Sequence, residues 1–295
     1  MPIVRSTYHS RLATMTAQTR RIADRVGRAQ EVAATGLEVH RGSDAPGKMA
    51  LIHSVREARA DQSEYDANAT QAMQLLNVAD QSLSGLAGVL SSARELAVQM
   101  SSETYNAASR VSAAQEATGL VDRALMFANG NLSGRYVFAG EAYDGPAYDE
   151  TSGAYLGNTD EPETAVADNN QTVLTGFDGS TLLQSGGDII AAVQNLQTAL
   201  STGVAANVQA SLTEIDGAIE QLAVARTIVG GEMIRAEDGS AMALNMEVAL
   251  AEQESHLVDA DAVESFTNLF QVQQSFEAAL QVTANARSSL LFSRL

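Results

Sequence analysis

The feature that most constrains the fold is one long stretch without helix breakers and with a single apolar face. Between Gly47 and Met100 the sequence has no proline and only two glycines. At 1.5 Å per residue, a helix of this length would be roughly 80 Å long. Apolar and small residues recur at alternating steps of four and three, which is the heptad pattern of packed helices. The positions are Gln62, Tyr65, Ala69, Ala72, Leu76, Ala79, Leu83, Leu86, Leu90, Ala93, Ala97 and Met100.

Both ends of the chain carry the same pattern in a narrower form. In residues 3–40 the heptad stripe is Tyr8, Leu12, Met15, Thr19, Ile22, Val26, Ala29 and Ala33. In the last segment the expected stripe is Phe266, Leu269, Gln273, Phe276, Leu280, Thr283, Arg287 and Leu290. Stripes this narrow cannot form a globular core by themselves, so they predict that the N- and C-terminal helices pair with each other.

The middle of the chain has a different composition. Residues 131–186 hold eight glycines, four of the seven tyrosines and nine acidic residues against one basic residue. Short β-like segments such as RYVFAG and QTVLTGF alternate with turn signals, which predicts a small strand-and-turn insertion. Helical patterning resumes at Asp188 and continues to the end, with an interruption near Gly203.

These patterns predict a mainly α protein, an elongated helical bundle with antiparallel N- and C-terminal coiled-coil helices and a small β-rich insertion domain. The expected segments are an N-terminal axial helix (1–42), the first half of a helical bundle (43–130), the insertion (131–186), the second half of the bundle (187–257) and a C-terminal axial helix (258–295).

Charge and composition exclude several classes of function. The net charge of −18 argues against nucleic acid as a partner of the whole molecule. Residues 1–60 are the exception, with ten basic and five acidic side chains. There is no cysteine, no N-terminal signal-like apolar segment and no apolar run of membrane-spanning length, so we expect neither a cleaved signal peptide nor membrane insertion.

The segment GSDAPGKM at residues 42–49 comes within one residue of a phosphate-binding loop. Met49 stands where a P-loop requires serine or threonine, and the preceding residues continue a helical pattern instead of a strand. The alternative is a joint between two helices, with Ser43 or Asp44 accepting hydrogen bonds from the next helix and Pro46 in its first turn. We favour the joint, and we expect the subunit to flex there.

Other candidate sites have simpler explanations. His9, His40, His53 and His256 are scattered, and none has a partner at metal-ligand spacing. Asp259 and Asp261 resemble half of a calcium loop, but no glycine or terminal glutamate follows at the required offsets, and an acidic helix N-terminus explains them more simply. No nucleophile elbow, zinc-protease motif or cysteine nucleophile is present. We therefore expect no enzyme activity, catalytic residue, cofactor or metal.

Four strings, together and in this order, resemble one family. They are SDAP at Ser43–Pro46 with TG at Thr35–Gly36 before it, RELAVQ at Arg94–Gln99, GRYVFAG at Gly134–Gly140, and the C-terminal SHLVDADAVESFTNLFQVQQSFEAALQ. They resemble the bacterial flagellins and their relatives at the junction of hook and filament. The resemblance does not reach residues 141–186, and Ala45 stands where a second aspartate is frequent. GRYVFAG and the ending SSLLFSRL resemble the junction branch of the family more than the filament flagellins.

The resemblance implies a structural subunit joining the flagellar hook to the filament. It implies a homo-oligomeric ring next to a hook-associated protein and flagellin, an export chaperone, and type III secretion to the extracellular flagellum without a cleaved signal peptide. The terminal stripes would then supply the assembly interface, for which the candidates are Tyr8, Leu12, Met15, Ile22, Val26, Phe266, Leu269, Phe276, Leu280 and Leu290. Alternatives are a short filament-forming flagellin, a coiled-coil adaptor and, more distantly, a P-loop nucleotide-binding protein.

Overall fold

The computed structural model describes residues 8–168 and 171–292, with side chains at 13–168 and 171–285. The described residues form seven helices and four short strands. In chain order these are α1 (Tyr8–Thr35), α2 (Pro46–Ser101), α3 (Ala107–Ala128), β1 (Asn131–Leu132), β2 (Arg135–Tyr136), β3 (Glu163–Ala167), β4 (Gln171–Leu174), α4 (Gly179–Gln184), α5 (Ile189–Ser201), α6 (Ala205–Val258) and α7 (Ala262–Phe292). The predicted class, mainly α with a small β-rich insertion, is confirmed.

The chain divides into two compact units. One contains both ends of the chain, up to Arg59 and from Val248 onward, and the other runs over Ala60–Glu247. No helix among the described residues has an apolar stretch long enough to cross a bilayer.

The unit Ala60–Glu247 has a large apolar core built on the heptad stripe of α2. Every predicted stripe position from Gln62 to Met100 is buried, except Tyr65, which is half-buried. α6 runs antiparallel to α2, because side-chain contacts pair successively later residues of α6 with earlier residues of α2. These contacts are Arg94–Asp216 at 2.7 Å, Arg226–Asp80 at 3.4 Å and Ser240–Asp66 at 2.6 Å.

Local signals set the helix boundaries in this unit. The Asn106 side chain accepts a hydrogen bond from the backbone N–H of Ser109 at 2.8 Å, and Asp188 does the same for Ala191 at 2.8 Å. Each side chain thereby satisfies one of the N–H groups that a helix N-terminus leaves without a partner. Between α5 and α6, Gly203 adopts φ +70°, which explains the predicted interruption there.

The insertion contains two antiparallel hairpins and several turns. β1 pairs with β2 across Ser133 and Gly134, both at positive φ, and β3 pairs with β4. The predicted segments RYVFAG and QTVLTGF contain β2 and β4, although only their first residues are strand. Val137, Phe138 and Ala139 then enter the core of the same unit, and Phe177 is buried beside them. The rest of RYVFAG therefore packs the insertion onto the core of this unit.

Candidate assembly surfaces of the terminal helices

α1 and α7 form an antiparallel pair within the unit that holds both chain ends. The hydroxyl oxygens of Thr19 and Thr283 lie 3.3 Å apart, which joins the first half of α1 to the second half of α7. Toward the other end of α1, Ala29 and Val32 border the same groove as Ser265 and Val272 of α7. The predicted pairing of the N- and C-terminal helices is confirmed, because contacts join both halves of α1 to α7 in reverse order.

The predicted stripe of α1 faces α7, with Ala29 buried and Met15, Thr19, Ile22, Val26 and Ala33 half-buried. The predicted stripe of α7 was wrong by one residue at several positions. The side of α7 that packs inward carries Ser265, Leu269, Val272, Phe276, Ala279 and Thr283. Phe266 and Leu280 are exposed instead, by 50% and 46%. The sequence allowed both registers, because small residues precede these two large apolar ones.

The candidate assembly residues fall into three groups. Met15, Ile22, Val26, Leu269 and Phe276 are half-buried in the contact between α1 and α7. Phe266 and Leu280 are exposed on α7. The side chains of Tyr8, Leu12 and Leu290 lie outside the described residues.

The structure also shows exposed apolar residues on α7 that we did not predict. Val263 is 78% exposed and Phe270 is 69% exposed. With Phe266 they are spaced by three and four residues, so they share one side of the helix. That i, i+3, i+7 spacing is visible in the sequence. The same segment also contains the apolar residues that pack inward, so spacing alone did not show which set would be exposed. Exposed aromatic residues grouped on one face are typical of an interaction site.

The joint between α1 and α2 is connected to the joint between α6 and α7. The backbone N–H of Glu38 donates to the carbonyl oxygen of Val258 at 2.7 Å, and that of Ala260 donates to the carbonyl of Gly36 at 2.8 Å. Beside these bonds, Val39, Ile52 and Val258 form a small buried apolar cluster. Flexing at this joint would therefore involve both connections together.

Asp44 stabilises this joint in a different way from the one predicted. Its carboxylate accepts the backbone N–H groups of Arg41 at 2.8 Å and His40 at 3.2 Å, both before it in the chain. These bonds, that of Arg41 first, lower the pKa of Asp44. Ser43 is exposed, and its hydroxyl lies 3.4 Å from the Asp44 carboxylate. Pro46 is the first residue of α2, as predicted. The first backbone hydrogen bonds of the helix run from Lys48 and Met49 to the carbonyl of Ala45.

This geometry does not support a nucleotide site at GSDAPGKM. α1, a helix, precedes the segment where a P-loop has a strand. The Asp44 carboxylate already accepts two of the backbone N–H groups that a phosphate would need. The Lys48 ammonium lies 3.3 Å from the carboxylate of Glu38, which gives it a local partner. The segment is a joint between helices.

An acidic residue near the end of α6 holds two arginines of α2. One Glu254 carboxylate oxygen lies 2.6 Å from Nε of Arg56, and the other lies 2.5 Å from Nη1 of Arg59. Hydrogen bonds from Arg56, then Arg59, lower the pKa of Glu254. Four arginines of α1 (Arg20, Arg21, Arg25 and Arg28) have no ion-pair partner within 4 Å among the described residues. Glu254 of α6 is therefore the partner of two arginines of α2.

At the start of α7, Asp261 is a helix cap. Its carboxylate accepts the backbone N–H groups of Val263 at 2.7 Å and Glu264 at 3.1 Å. The prediction of an acidic helix N-terminus is confirmed for Asp261, whereas Asp259 follows α6 and its carboxylate accepts the hydroxyl of Ser255. No group of three or more potential metal ligands occurs among residues 8–168 and 171–292.

Comparisons with known proteins agree with this arrangement. The family model for the bacterial flagellin N-terminal helical region matches residues 6–142, and the model for the C-terminal helical region matches residues 212–292. The flagellar hook-associated protein 3 of Escherichia coli is 24% identical over 289 residues, covering 89% of this chain and 90% of that protein. The protein of the same name from Salmonella typhimurium is 28% identical over 156 residues, covering 52% of this chain and 49% of its own length, so this second match spans about half of each protein.

Solved structures show the same fold. A putative flagellar hook-associated protein from Vibrio parahaemolyticus has a TM-score of 0.66 at 20% identity, covering 73% of this chain and all of that structure (100%). FlgL from Bacillus cereus has a TM-score of 0.58 at 20% identity, covering 70% of this chain and 100% of that structure. The two family models match both helical ends of the chain in their proper order, and the chain belongs to the bacterial flagellin family.

Proposed function

We propose that this protein is a structural subunit at the junction of flagellar hook and filament. The observation that carries the proposal is the match to a hook-associated protein 3 along nearly the whole of both chains. The packing agrees with a mechanical role. The unit Ala60–Glu247 has a large buried core, whereas α1 and α7 pair through a narrow stripe and α7 keeps apolar side chains exposed. Such helices gain stability from neighbouring copies.

In this proposal the terminal segments 1–42 and 258–295 form the axial layer of the assembly. Their apolar residues, both those between α1 and α7 and those exposed on α7, hold the copies of a homo-oligomeric ring together. The ring contacts a hook-associated protein on one side and flagellin on the other. The bundle and its insertion transmit torque from the hook to the filament. The role is structural and not catalytic.

Export follows from the same proposal. The protein is a component of the extracellular flagellum, reached through the type III secretion channel without cleavage of a signal peptide and with the help of an export chaperone. A chain without cysteine, and with few aromatic residues, suits passage in an unfolded state through a narrow channel.

Deletion of the gene tests the junction role. We expect electron microscopy to show hooks without filaments and flagellin released into the medium. The matched control is the same strain carrying the intact gene on a plasmid, which should regain filaments. Filaments that persist in the deletion strain, or thousands of copies of the protein along each filament, would contradict the junction role and favour a filament-forming flagellin.

A further inference from the structure

We infer that neighbouring copies of this chain join by a ridge of one α7 entering a groove between α1 and α7 of the next copy. This inference rests on the proposed function, because it supplies the contact that closes the ring. The inferred contact uses only surfaces of α1 and α7, which lie in the same compact unit.

The groove has an apolar floor and a basic rim. Its volume is about 350 Å³, its floor contains Ala29, Val32 and Val272, and Arg25 and Arg28 stand at its edge. Ser265 and Asn268 complete the α7 side. Both arginines are exposed, and neither has an ion-pair partner within 4 Å among the described residues. An occupant should therefore carry a large apolar side chain and a carboxylate.

The outward face of α7 carries those two groups. Val263, Phe266 and Phe270 are exposed on one side of the helix, and Glu277 follows Phe270 by seven residues, two turns further along the same side. We call these four residues the α7 ridge. Phe270 is two residues from Asn268 and two from Val272, so at 3.6 residues per turn it points about 160° away from each of them, on the side of α7 opposite the groove. A copy can thus offer its ridge to one neighbour and its groove to another.

The spacing within the ridge matches the spacing within the groove. Phe270 and Glu277 are seven residues apart, about 10 Å along the helix, and so are Val32 and Arg25. Because α1 is antiparallel to α7, the direction from Val32 to Arg25 is the direction of α7. An incoming α7 with Phe270 beside Val32 would place Glu277 beside Arg25 when it runs parallel to the α7 of the receiving copy.

Parallel α7 helices fit a ring whose axis runs along them. Copies related by rotation about an axis along these helices keep all their α7 helices in one direction. A contact that uses two different surfaces, one on each copy, repeats from copy to copy and generates a ring when the rotation closes. The match of apolar side chains, charge, spacing and direction selects a second copy of this chain as the occupant.

Disulfide crosslinking tests the contact directly, because the natural chain has no cysteine. The full-length variant Val32→Cys/Phe270→Cys would be expressed in the deletion strain, and isolated hooks would be oxidised and run on a non-reducing gel. We expect a ladder of crosslinked species from two copies upward. Val32→Cys alone and Phe270→Cys alone should give at most trace dimer, and cells expressing both single variants should give a dimer and no longer species.

A charge exchange provides a second measurement, should the cysteine variants assemble poorly. Arg25→Glu and Glu277→Arg should each lower the amount of protein bound to hooks at least several-fold, and the double variant should restore most of it. Arg20→Glu is the matched control, since Arg20 lies five residues from Arg25, on another side of α1, and should leave binding unchanged.

The outcomes separate this inference from the proposed function. If the intact protein is absent from hooks, the junction role fails and this contact fails with it. If the double-cysteine variant is on hooks but gives no ladder, or if the charge exchange gives no rescue, the junction role stands and the ridge-and-groove contact is wrong.

Discussion

At the scale of single residues, Arg110 connects the ends of two helices inside the larger unit. It is buried, and its guanidinium donates to three backbone carbonyl groups: Met100 at 2.8 Å, Ser102 at 2.8 Å and Gly203 at 3.3 Å. Met100 lies in the last turn of α2, and Ser102 and Gly203 follow the ends of α2 and α5, where carbonyl groups lack the usual intrahelical donors. The arginine supplies donors to all three, and the Ser102 carbonyl also accepts the backbone N–H of Tyr105 at 3.2 Å.

Replacing Arg110 by alanine should destabilise the protein by about 2–4 kcal/mol, because the buried hydrogen bonds to the carbonyls of Met100 and Gly203 are lost. The urea midpoint of the main unfolding transition measures the change. Arg123→Ala is the matched control: Arg123 is exposed and donates to its own helix at Gly119, so its loss should cost less than about 0.5 kcal/mol. Equal effects of the two substitutions would show that Arg110 does not hold the helix ends.

Glu254 should make stability depend on pH. Its pKa in the folded protein is lowered from the usual value of 4.5 by Arg56 and Arg59, so its contribution is present above that value and is lost as the pH falls through the lowered pKa. Glu254→Gln should therefore lower the melting temperature at pH 7, by the equivalent of about 0.5–1 kcal/mol, and have little effect well below pH 4.5. Glu252→Gln, an exposed neighbour, is the control, and a Glu254→Gln effect independent of pH would contradict the ion-pair explanation.

At the scale of elements, α7 has residues that pack against α1 and others that are exposed, and in the proposed assembly substitutions of the two kinds should separate folding from assembly. Phe276 is half-buried against α1, so Phe276→Asp should loosen the α1–α7 pair. Leu280 is 46% exposed, so Leu280→Asp should leave the pair intact and weaken only the contact between copies. Circular dichroism of the purified chain and the amount bound to hooks measure the two effects. Loss of helix in Leu280→Asp, to the same extent as in Phe276→Asp, would contradict this division.

The sequence predicted α1 and α2 more accurately than α7, for a physical reason. In α2 the stripe of leucine and alanine is bordered by charged and polar residues, so only one face can be buried. In α7, Val263, Phe266 and Phe270 compete with Leu269, Val272 and Phe276 for the inward position. Only the partner helix selects between two apolar faces, and sequence periodicity contains no information about where that partner lies.

At the scale of the whole molecule, the two units have very different cores. The unit Ala60–Glu247 buries leucine, isoleucine, valine and phenylalanine from α2, α3, α5, α6 and the insertion. In the unit with the chain ends, the buried apolar cluster contains Val39, Ile52 and Val258, and the α1–α7 contact is mostly half-buried. The free energy needed to unfold a region increases with the apolar surface that the region buries.

Hydrogen exchange of the purified monomer should reflect this difference. Amides in α1 and α7 should exchange at least tenfold faster than those in the middle of α2 and in α3, because opening the terminal pair exposes less apolar surface. Mass spectrometry of peptic fragments measures the rates. On hooks the terminal helices should become protected. Equal protection of α1 and α3 in the monomer would show that the terminal pair needs no neighbour.

The sequence by itself determined the helical class, the extent of the long helices, the position of the insertion and the joint at GSDAPGKM, because heptad spacing, glycine and proline act through local geometry. The tertiary structure decided which face of α7 turns inward, what Asp44 caps and which acid receives Arg56 and Arg59. Each of these depends on residues far apart in the chain, or on a choice between equally good local partners, so packing selected among options that the sequence left equal.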